Sequence, residues 1–256
     1  MQSPVMIVIR ILLNGVIMVA EIAAVAGVAW LGYTHPFLFA ALTAALSLVL
    51  GLGLETKRLS FELPFYFEGL RSPRLLFVAL VGSVEALLKA VLAGLAALFT
   101  FAGTESDRLF WVAVVFGITT YVGASALRGL SVSFRAQPWR WGYFRLAPPL
   151  GLAFSAGIAA LAAAGVLTTT SVGEIGWRLV WELPQKPSVS QVSELFFQLK
   201  QAFDDFIVTL LKTVMSEHWA RLIAIAVSVN VLTGFVASVY ASLIAAVVRT
   251  AEEGLP

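Results

Sequence analysis

The sequence contains no cysteine and only two histidines, and charged residues make up just 12% of its 256 positions. The lack of cysteine excludes disulfides, thiolate metal sites and a cysteine nucleophile. Soluble domains carry roughly 25% charged residues. The low charge, a hydrophobic content of 59% and a mean hydropathy of +0.90 therefore indicate an all-α polytopic membrane protein.

The common catalytic motifs are also missing, since no GxSxG, HExxH, Walker lysine loop or GxGxxG occurs. With only two histidines, His35 and His218, we do not expect a bis-histidine haem inside the membrane, and no further ligands point to a metal site around them. The net charge of +2 comes without a basic helix that would suggest nucleic acid. We therefore expect a protein that is not an enzyme and that has no cofactor, no metal and no nucleic-acid partner.

Long apolar runs predict six membrane spans, because about 20 apolar residues are needed to cross the roughly 30 Å of hydrocarbon. The predicted spans cover about 6–31, 37–54, 75–101, 109–127, 147–167 and 220–248. They give a five-span membrane domain over 1–168, an outer loop over 169–219 with an amphipathic helix at about 188–218, and a last span with a short tail over 220–256.

The distribution of basic residues predicts the orientation of these spans. The polar loops 55–74 and 128–146 carry four Lys or Arg each, whereas the connectors 32–36 and 103–108 carry none and one. Basic loops stay cytoplasmic. The prediction is an integral protein, by default of a bacterial inner membrane, with both termini in the cytoplasm and the amphipathic helix outside.

The amphipathic helix has an apolar stripe that is close to a heptad seam. Its members are Val192, Phe196, Leu199, Phe203, Phe206 and Leu210. Ser188 and Gln191 form a predicted capping box at its start. Three interpretations stay open: the helix lies in the lipid interface, covers the protein's own outer surface, or contacts another subunit. Its polar face is nearly neutral, which favours a protein partner over anionic lipid.

Polar residues inside the spans are the candidates for function, because ionisable groups are costly in the bilayer. They are Arg10, Asn14, Glu21, Glu85, Lys89 and Asn230. Arg10, Asn14 and Glu21 share one helix face, which should turn away from lipid. Lys89 has two candidate partners, Glu85 one turn before it and Glu21 on another span. Such a pair either fixes helix register or takes part in a proton or ion relay.

Small residues recur at intervals of four on three spans. They are Thr43, Ser47 and Gly51 on the second span, Gly151, Ser155, Ala159 and Ala163 on the fifth, and Ala226, Asn230, Gly234, Ser238 and Ser242 on the sixth. Such faces let helix backbones approach closely, so we predict helix–helix interfaces within this chain or with another one. The alternative is a narrow conduit lined by small polar residues.

These features favour a non-catalytic subunit of a larger membrane assembly, in contact with lipid and with other membrane proteins. The alternative is a transporter or permease-type component for an ion or an amphipathic solute, with the intramembrane charges along its pathway. A lipid-modifying enzyme would need a polar interfacial site. The loops 55–74 and 128–146 are the only candidates, and they offer no base or nucleophile.

Overall fold

A computed structural model of the chain describes residues 4–66, 75–103, 105–166, 188, 191–193, 195, 206–216, 220 and 229–253. Within these ranges the side chains of residues 4–11, 63–66, 75, 162, 163, 229 and 230 are not described. The two candidate side chains of Arg10 and Asn230 are therefore outside the described set.

The described part of the chain is built from helices and contains no strand. The helices are α1 (Pro4–Thr34), α2 (Pro36–Tyr66), α3 (Leu75–Thr100), α4 (Ser106–Phe134), α5 (Pro138–Trp141), α6 (Ala147–Ala163) and α7 (Thr233–Glu253). A π-helical segment, Gly142–Leu146, joins α5 to α6 without a break, and a 3-10 turn, Val229–Leu232, precedes α7.

Six helical stretches in the described residues are long and apolar enough to cross a membrane, which confirms the predicted all-α polytopic class. The limits of several spans differ from the prediction. Helix α2 continues to Tyr66, so residues 55–66 are helical where a loop was predicted. The fifth span begins at Pro138 instead of 147, and the last one covers Thr233–Glu253. The longer helices bring charged residues into the bundle, where other charged groups pair with them.

Helix α7 lies at the centre of the bundle and packs against α4, α6 and the π-helical segment. An aromatic cluster fills the core beside it. Phe39 stacks on Tyr240 with ring centroids 5.3 Å apart and meets Phe101 edge-on at 5.1 Å. Phe116 contacts Phe101 at 5.6 Å. Edge-to-face and stacked aromatic pairs stabilise such a core beyond their buried area, so helices α2, α4 and α7 are held in one packed unit.

The small-residue faces pack against each other within the chain. A Cβ on Gly234 would lie 2.1 Å from the backbone N of Gly151 and 2.2 Å from the carbonyl O of Ala147. A Cβ on Gly51 would lie 3.0 Å from the Cβ of Ala86. The contacts of the predicted faces at Gly51, Gly151 and Gly234 are thus internal, with α6 against α7 and α2 against α3.

The helix predicted to lie outside, which we call the outer helix, has its start fixed by two sets of hydrogen bonds. The predicted capping box is confirmed: the Ser188 backbone N–H donates to Gln191 Oε1 at 2.8 Å, and the Gln191 N–H donates to Ser188 Oγ at 3.4 Å. Ser193 Oγ donates to the Gly103 carbonyl at 3.2 Å and accepts from its N–H at 3.1 Å. The helix therefore begins at the end of the bundle that carries the α3–α4 connection.

The end of the outer helix comes earlier than predicted. Residues 206–212 are helical, and 213–215 form a turn. The N–H groups of Thr213 and Val214 bond to carbonyls three residues back, and the Thr213 hydroxyl donates to the Leu210 carbonyl at 2.6 Å. These tighter bonds close the last turn at 212 instead of continuing to 218.

Candidate functional site

A five-residue charge network joins α2 to α3 within the two helical stretches Pro36–Glu62 and Leu76–Thr100, which are long and apolar enough to cross a membrane. On α2, Arg58 pairs with Glu55 at 3.0 Å and with Glu62 at 3.3 Å. It also donates from Nη2 to Glu85 on α3 at 2.7 Å. Lys89 Nζ donates to Glu55 Oε1. We refer to Glu55, Arg58, Glu62, Glu85 and Lys89 as the α2–α3 network.

Helix geometry explains why these side chains meet. Glu55, Arg58 and Glu62 are spaced three and four residues apart and so share one face of α2, as Glu85 and Lys89 do on α3. The two helices are antiparallel, and side chains tilt toward the N-terminus of their own helix. Glu55 and Lys89 therefore lean toward each other, which closes the distance between their backbone positions.

Two aromatic rings from the π-helical segment cover this network. Lys89 Nζ lies 5.6 Å from the ring centroid of Tyr143 and 5.3 Å from that of Phe144. The guanidinium carbon of Arg58 lies 5.6 Å from the Phe144 ring. These distances are in the range of cation–π attraction. The consecutive residues Tyr143 and Phe144 both contact Lys89 from the π-helical segment, and such segments are frequent at functional sites.

A polar column continues from the network along the buried face of α2. Thr43, Ser47 and Glu55 are each 0% exposed, with Gly51 between the last two. Thr43 shares a 3.0 Å hydrogen bond with the Tyr240 hydroxyl. The hydroxyls of Ser47 and Tyr143 are neighbours, but neither has hydrogen-bond geometry to a described partner. The column thus has polar groups along its length whose hydrogen-bonding capacity is not filled by the described residues.

The α2–α3 network reaches the surface of the bundle at membrane depth. The Glu55 side chain is 0% exposed, but those of Arg58, Glu85 and Lys89 are 30–33% exposed. At 1.5 Å per residue, Glu85 and Lys89 lie about 14 Å and about 20 Å from the start of their span at Leu76. The hydrocarbon half-thickness is about 15 Å, so Glu85 and Lys89 lie near the middle of their span. Arg58 is four residues, or about 6 Å, from the end of its own span at Glu62.

A second network joins α1, α4 and α7. Arg128 on α4 approaches Glu21 on α1 at 3.8 Å and pairs with Glu252 on α7. Glu21 is buried, with 3% of its side chain exposed. Near the end of α7, Arg249 bonds to Glu253 at 2.6 Å and donates to the Ala136 carbonyl at 3.0 Å. Three helices that are distant in sequence are tied together at this end of the bundle.

The candidate residues from the sequence fall into three groups. Glu85 and Lys89 do belong to one network, but Lys89 pairs with Glu55 and Glu85 with Arg58, which differs from both predicted pairings. Glu21 pairs with Arg128, not with Lys89. Asn14 is exposed on the surface of α1, although its face was expected to turn away from lipid.

Sequence reasoning missed three residues of the α2–α3 network and two of the Glu21–Arg128–Glu252 cluster. They are Glu55, Arg58, Glu62, Arg128 and Glu252. The first four were assigned to polar loops, and the fifth to the tail. The helical spacing of Glu55, Arg58 and Glu62 is a signal that would have placed them on one face of an extended α2.

The predicted partner-contact face of the outer helix is described only in part. Phe206 and Leu210 are 63% and 55% exposed, and Val192 is half-buried. Phe196, Leu199 and Phe203 lie outside the described residues. Phe206 and Leu210, at the end of the apolar stripe, therefore present an apolar surface that the described residues do not cover.

The fold and the two networks define an all-α polytopic membrane protein with paired charges inside its spans. Among the described residues, no group of three or more His, Asp or Glu side chains is placed to hold a metal ion. The chain matches no protein-family model, no curated protein and no solved structure.

Proposed function

We propose that the protein is a non-catalytic subunit of a larger assembly in a bacterial inner membrane, with both termini in the cytoplasm. The partial exposure of Glu85 and Lys89 near the middle of their span supports this proposal best. Hydrocarbon chains cannot solvate a charge, and ionisable residues in spans face protein or a water-filled cavity. A transmembrane helix of another subunit would cover this face of α2 and α3.

Two neighbouring residues of α3 provide a matched test. Leu92 is 58% exposed and lies about 20° from Glu85 around the helix. Val91 is 52% exposed but lies about 120° from Glu85 around the helix. A photo-crosslinking amino acid at position 92 should give a discrete protein adduct in native membranes, and the same group at 91 should give none. Absence of a protein adduct at 92, or the same adduct at both positions, would contradict the proposal.

The outer helix offers a second contact surface for the same assembly. Phe206→Ser with Leu210→Ser should remove the companions that co-purify stoichiometrically with the tagged protein in mild detergent. Val214→Ser is the control, because Val214 is 81% exposed in the turn that follows the helix. A protein that purifies alone, or companions that both variants retain, would remove the support for this surface.

The polar column favours a second candidate function, transport of protons or small cations. Glu55, Tyr143, Ser47, Thr43 and Tyr240 supply a succession of ionisable and hydroxyl groups from the network to the aromatic core. Buried polar groups without protein partners often bond to water. Water in this column would complete a hydrogen-bonded path through the inner half of the bundle.

Flux measurements on purified protein in liposomes test this candidate. Tyr143→Phe removes a hydroxyl that has no described partner and keeps the ring over Lys89, so the fold should survive. A transporter should lose at least about tenfold of its proton flux, whereas Tyr33→Phe, at the other end of the bundle, should have no effect. Wild-type protein without flux, or flux that Tyr143→Phe leaves unchanged, would rule out this path.

A further inference from the structure

Two adjacent clefts lie between α1 and α4, and we treat them together as one groove. Its apolar part has a volume of about 530 Å³, and Val25, Ala29, Trp30, Phe110 and Gly117 are among the residues that line it. A second cleft of about 400 Å³ follows toward the end of α4. Tyr121 lines both. Along α4 the groove extends over about 35 Å from Phe110 to Ser133.

The second cleft is polar where the first is apolar. Glu21, Arg128, Ser125 and Ser133 line it. Ser125 and Ser133 are exposed on the surface, so the cleft is open to the surroundings of the protein. The groove thus has an apolar length and a charged end, which is the division found in a phospholipid.

Glu21 identifies the chemistry that the charged end would take. Its side chain is 97% buried, and its Oε1 has no hydrogen-bond donor among the described residues. Two carboxylates, Glu21 and Glu252, share the single guanidinium of Arg128, which leaves a formal charge of −1. A buried carboxylate oxygen with no partner is costly, so a cationic donor is the complementary ligand.

We propose that this groove binds a phospholipid whose headgroup carries a primary ammonium, as in phosphatidylethanolamine. The ammonium would donate to Glu21 Oε1, and the phosphate would lie against Arg128. One acyl chain would follow the apolar groove toward Gly117, which is 11 residues or about 16 Å along α4 from Arg128. That distance is about one leaflet of hydrocarbon.

Gly117 leaves the space that such a chain needs. A Cβ at this position would meet the Ala29 Cβ at 3.5 Å and Val25 Cγ1 at 3.9 Å, which is ordinary contact. Alanine therefore fits without displacing either helix, whereas a leucine side chain would extend into the groove. Gly117→Ala and Gly117→Leu form a matched pair for occupancy of the apolar part.

The test uses the full-length protein in nanodiscs that contain equal amounts of dioleoyl phosphatidylethanolamine and dioleoyl phosphatidylcholine. The two lipids have the same acyl chains and differ only in the methylation of the amine. Native mass spectrometry of lipids retained by the wild-type protein should show at least about a fivefold preference for the ethanolamine lipid. Glu21→Gln should reduce that preference to near unity. Glu253→Gln should keep it, because Glu253 pairs with Arg249 outside the groove.

The variants Gly117→Leu and Gly117→Ala test the placement of the acyl chain independently of the Glu21 variant. Gly117→Leu should lower retention of both lipids at least about threefold, and Gly117→Ala should not. Equal retention of the two lipids by the wild-type protein would overturn the headgroup assignment. Retention that Gly117→Leu leaves unchanged would overturn the placement of the acyl chain, even if the protein prefers ethanolamine lipid elsewhere on its surface.

Discussion

Gly151 on α6 and Gly234 on α7 touch backbone to backbone: a Cβ on Gly234 would lie 2.1 Å from the Gly151 N and 2.4 Å from its Cα. No flexible side chain stands between the two helices at this point, so neither helix can yield locally. The crossing holds α7 in the centre of the bundle, where it positions Tyr240 in the aromatic core.

We expect Gly234→Ala to destabilise the protein, because the added methyl group meets backbone atoms that cannot rotate away. Overpacking of this kind costs about 1–3 kcal/mol, and a backbone clash belongs at the upper end. Thermal unfolding in detergent, followed by circular dichroism, measures the effect. Gly53→Ala is the control, because nothing lies within 4 Å of the added Cβ. Equal melting temperatures for the two variants would show that the close crossing does not occur.

Glu55→Gln should weaken the bundle by leaving Lys89 without its carboxylate. Removing one partner of a fully buried ion pair costs about 3–5 kcal/mol. Lys89 is 32% exposed, so we expect a smaller loss, about 2 kcal/mol in the free energy of unfolding. The double variant Glu55→Gln with Lys89→Gln should recover part of the loss, because it also removes the unpaired charge.

Glu62→Gln is the matched control for Glu55→Gln. Glu62 pairs with the same Arg58, but its side chain is 45% exposed, and such pairs contribute less than about 1 kcal/mol. A loss at Glu62 as large as that at Glu55 would mean that burial does not distinguish the two carboxylates.

Ser193→Ala should release the start of the outer helix from the bundle. It removes both hydrogen bonds to Gly103, each of which contributes about 0.5–1.5 kcal/mol. Hydrogen exchange at residues 191–195 should become faster, with little change in the spans. Thr213→Ala removes only a local bond to Leu210 and should leave exchange at 191–195 unchanged. Protection that persists in Ser193→Ala would show that other contacts fix this end of the helix.

The absence of cysteine allows a direct test of the predicted orientation, because single cysteine variants have no background. His35 and Gln137 are both exposed and lie in connections at opposite ends of the bundle. In intact cells, a membrane-impermeant maleimide should label His35→Cys and should label Gln137→Cys only after permeabilisation. The reverse pattern would place the basic loops outside and contradict the orientation.

Hydropathy and local spacing were sufficient for much of the fold. The six spans follow from apolar runs, and the capping box at Ser188 and Gln191 follows from residues three positions apart. The recurrence of small residues on one face indicated a close helix–helix contact at Gly234, and the structure shows that the partner, Gly151, lies in the same chain. Each of these features is determined by residues within a single helix, so the spacing of residues in the sequence can reveal it.

The charge networks could not be derived in the same way. The local spacing of Arg58 with Glu55 and Glu62 could have placed it on a helix, but its pairing with Glu85, 27 positions away, has no local signal. The pairing of Glu21 with Arg128 depends on the registry of α1 against α4, which no local pattern specifies. The sequence therefore indicated the charges on α1 and α3, while those on α2, α4 and α7 and the choice of partners required the helix limits and the relative heights of neighbouring helices.

The antiparallel arrangement of Glu55 and Lys89 has a consequence for how the protein enters the membrane. A single charged residue at the centre of a helix adds about 2.5–3.5 kcal/mol to the free energy of insertion through the translocon. Helix α2 carries Glu55, Arg58 and Glu62, and α3 carries Glu85 and Lys89, and only the two helices together complete the Glu55–Lys89 and Arg58–Glu85 pairs. We expect α2 to remain in the translocon until α3 has been synthesised, so that the two helices enter the bilayer together as a preformed hairpin.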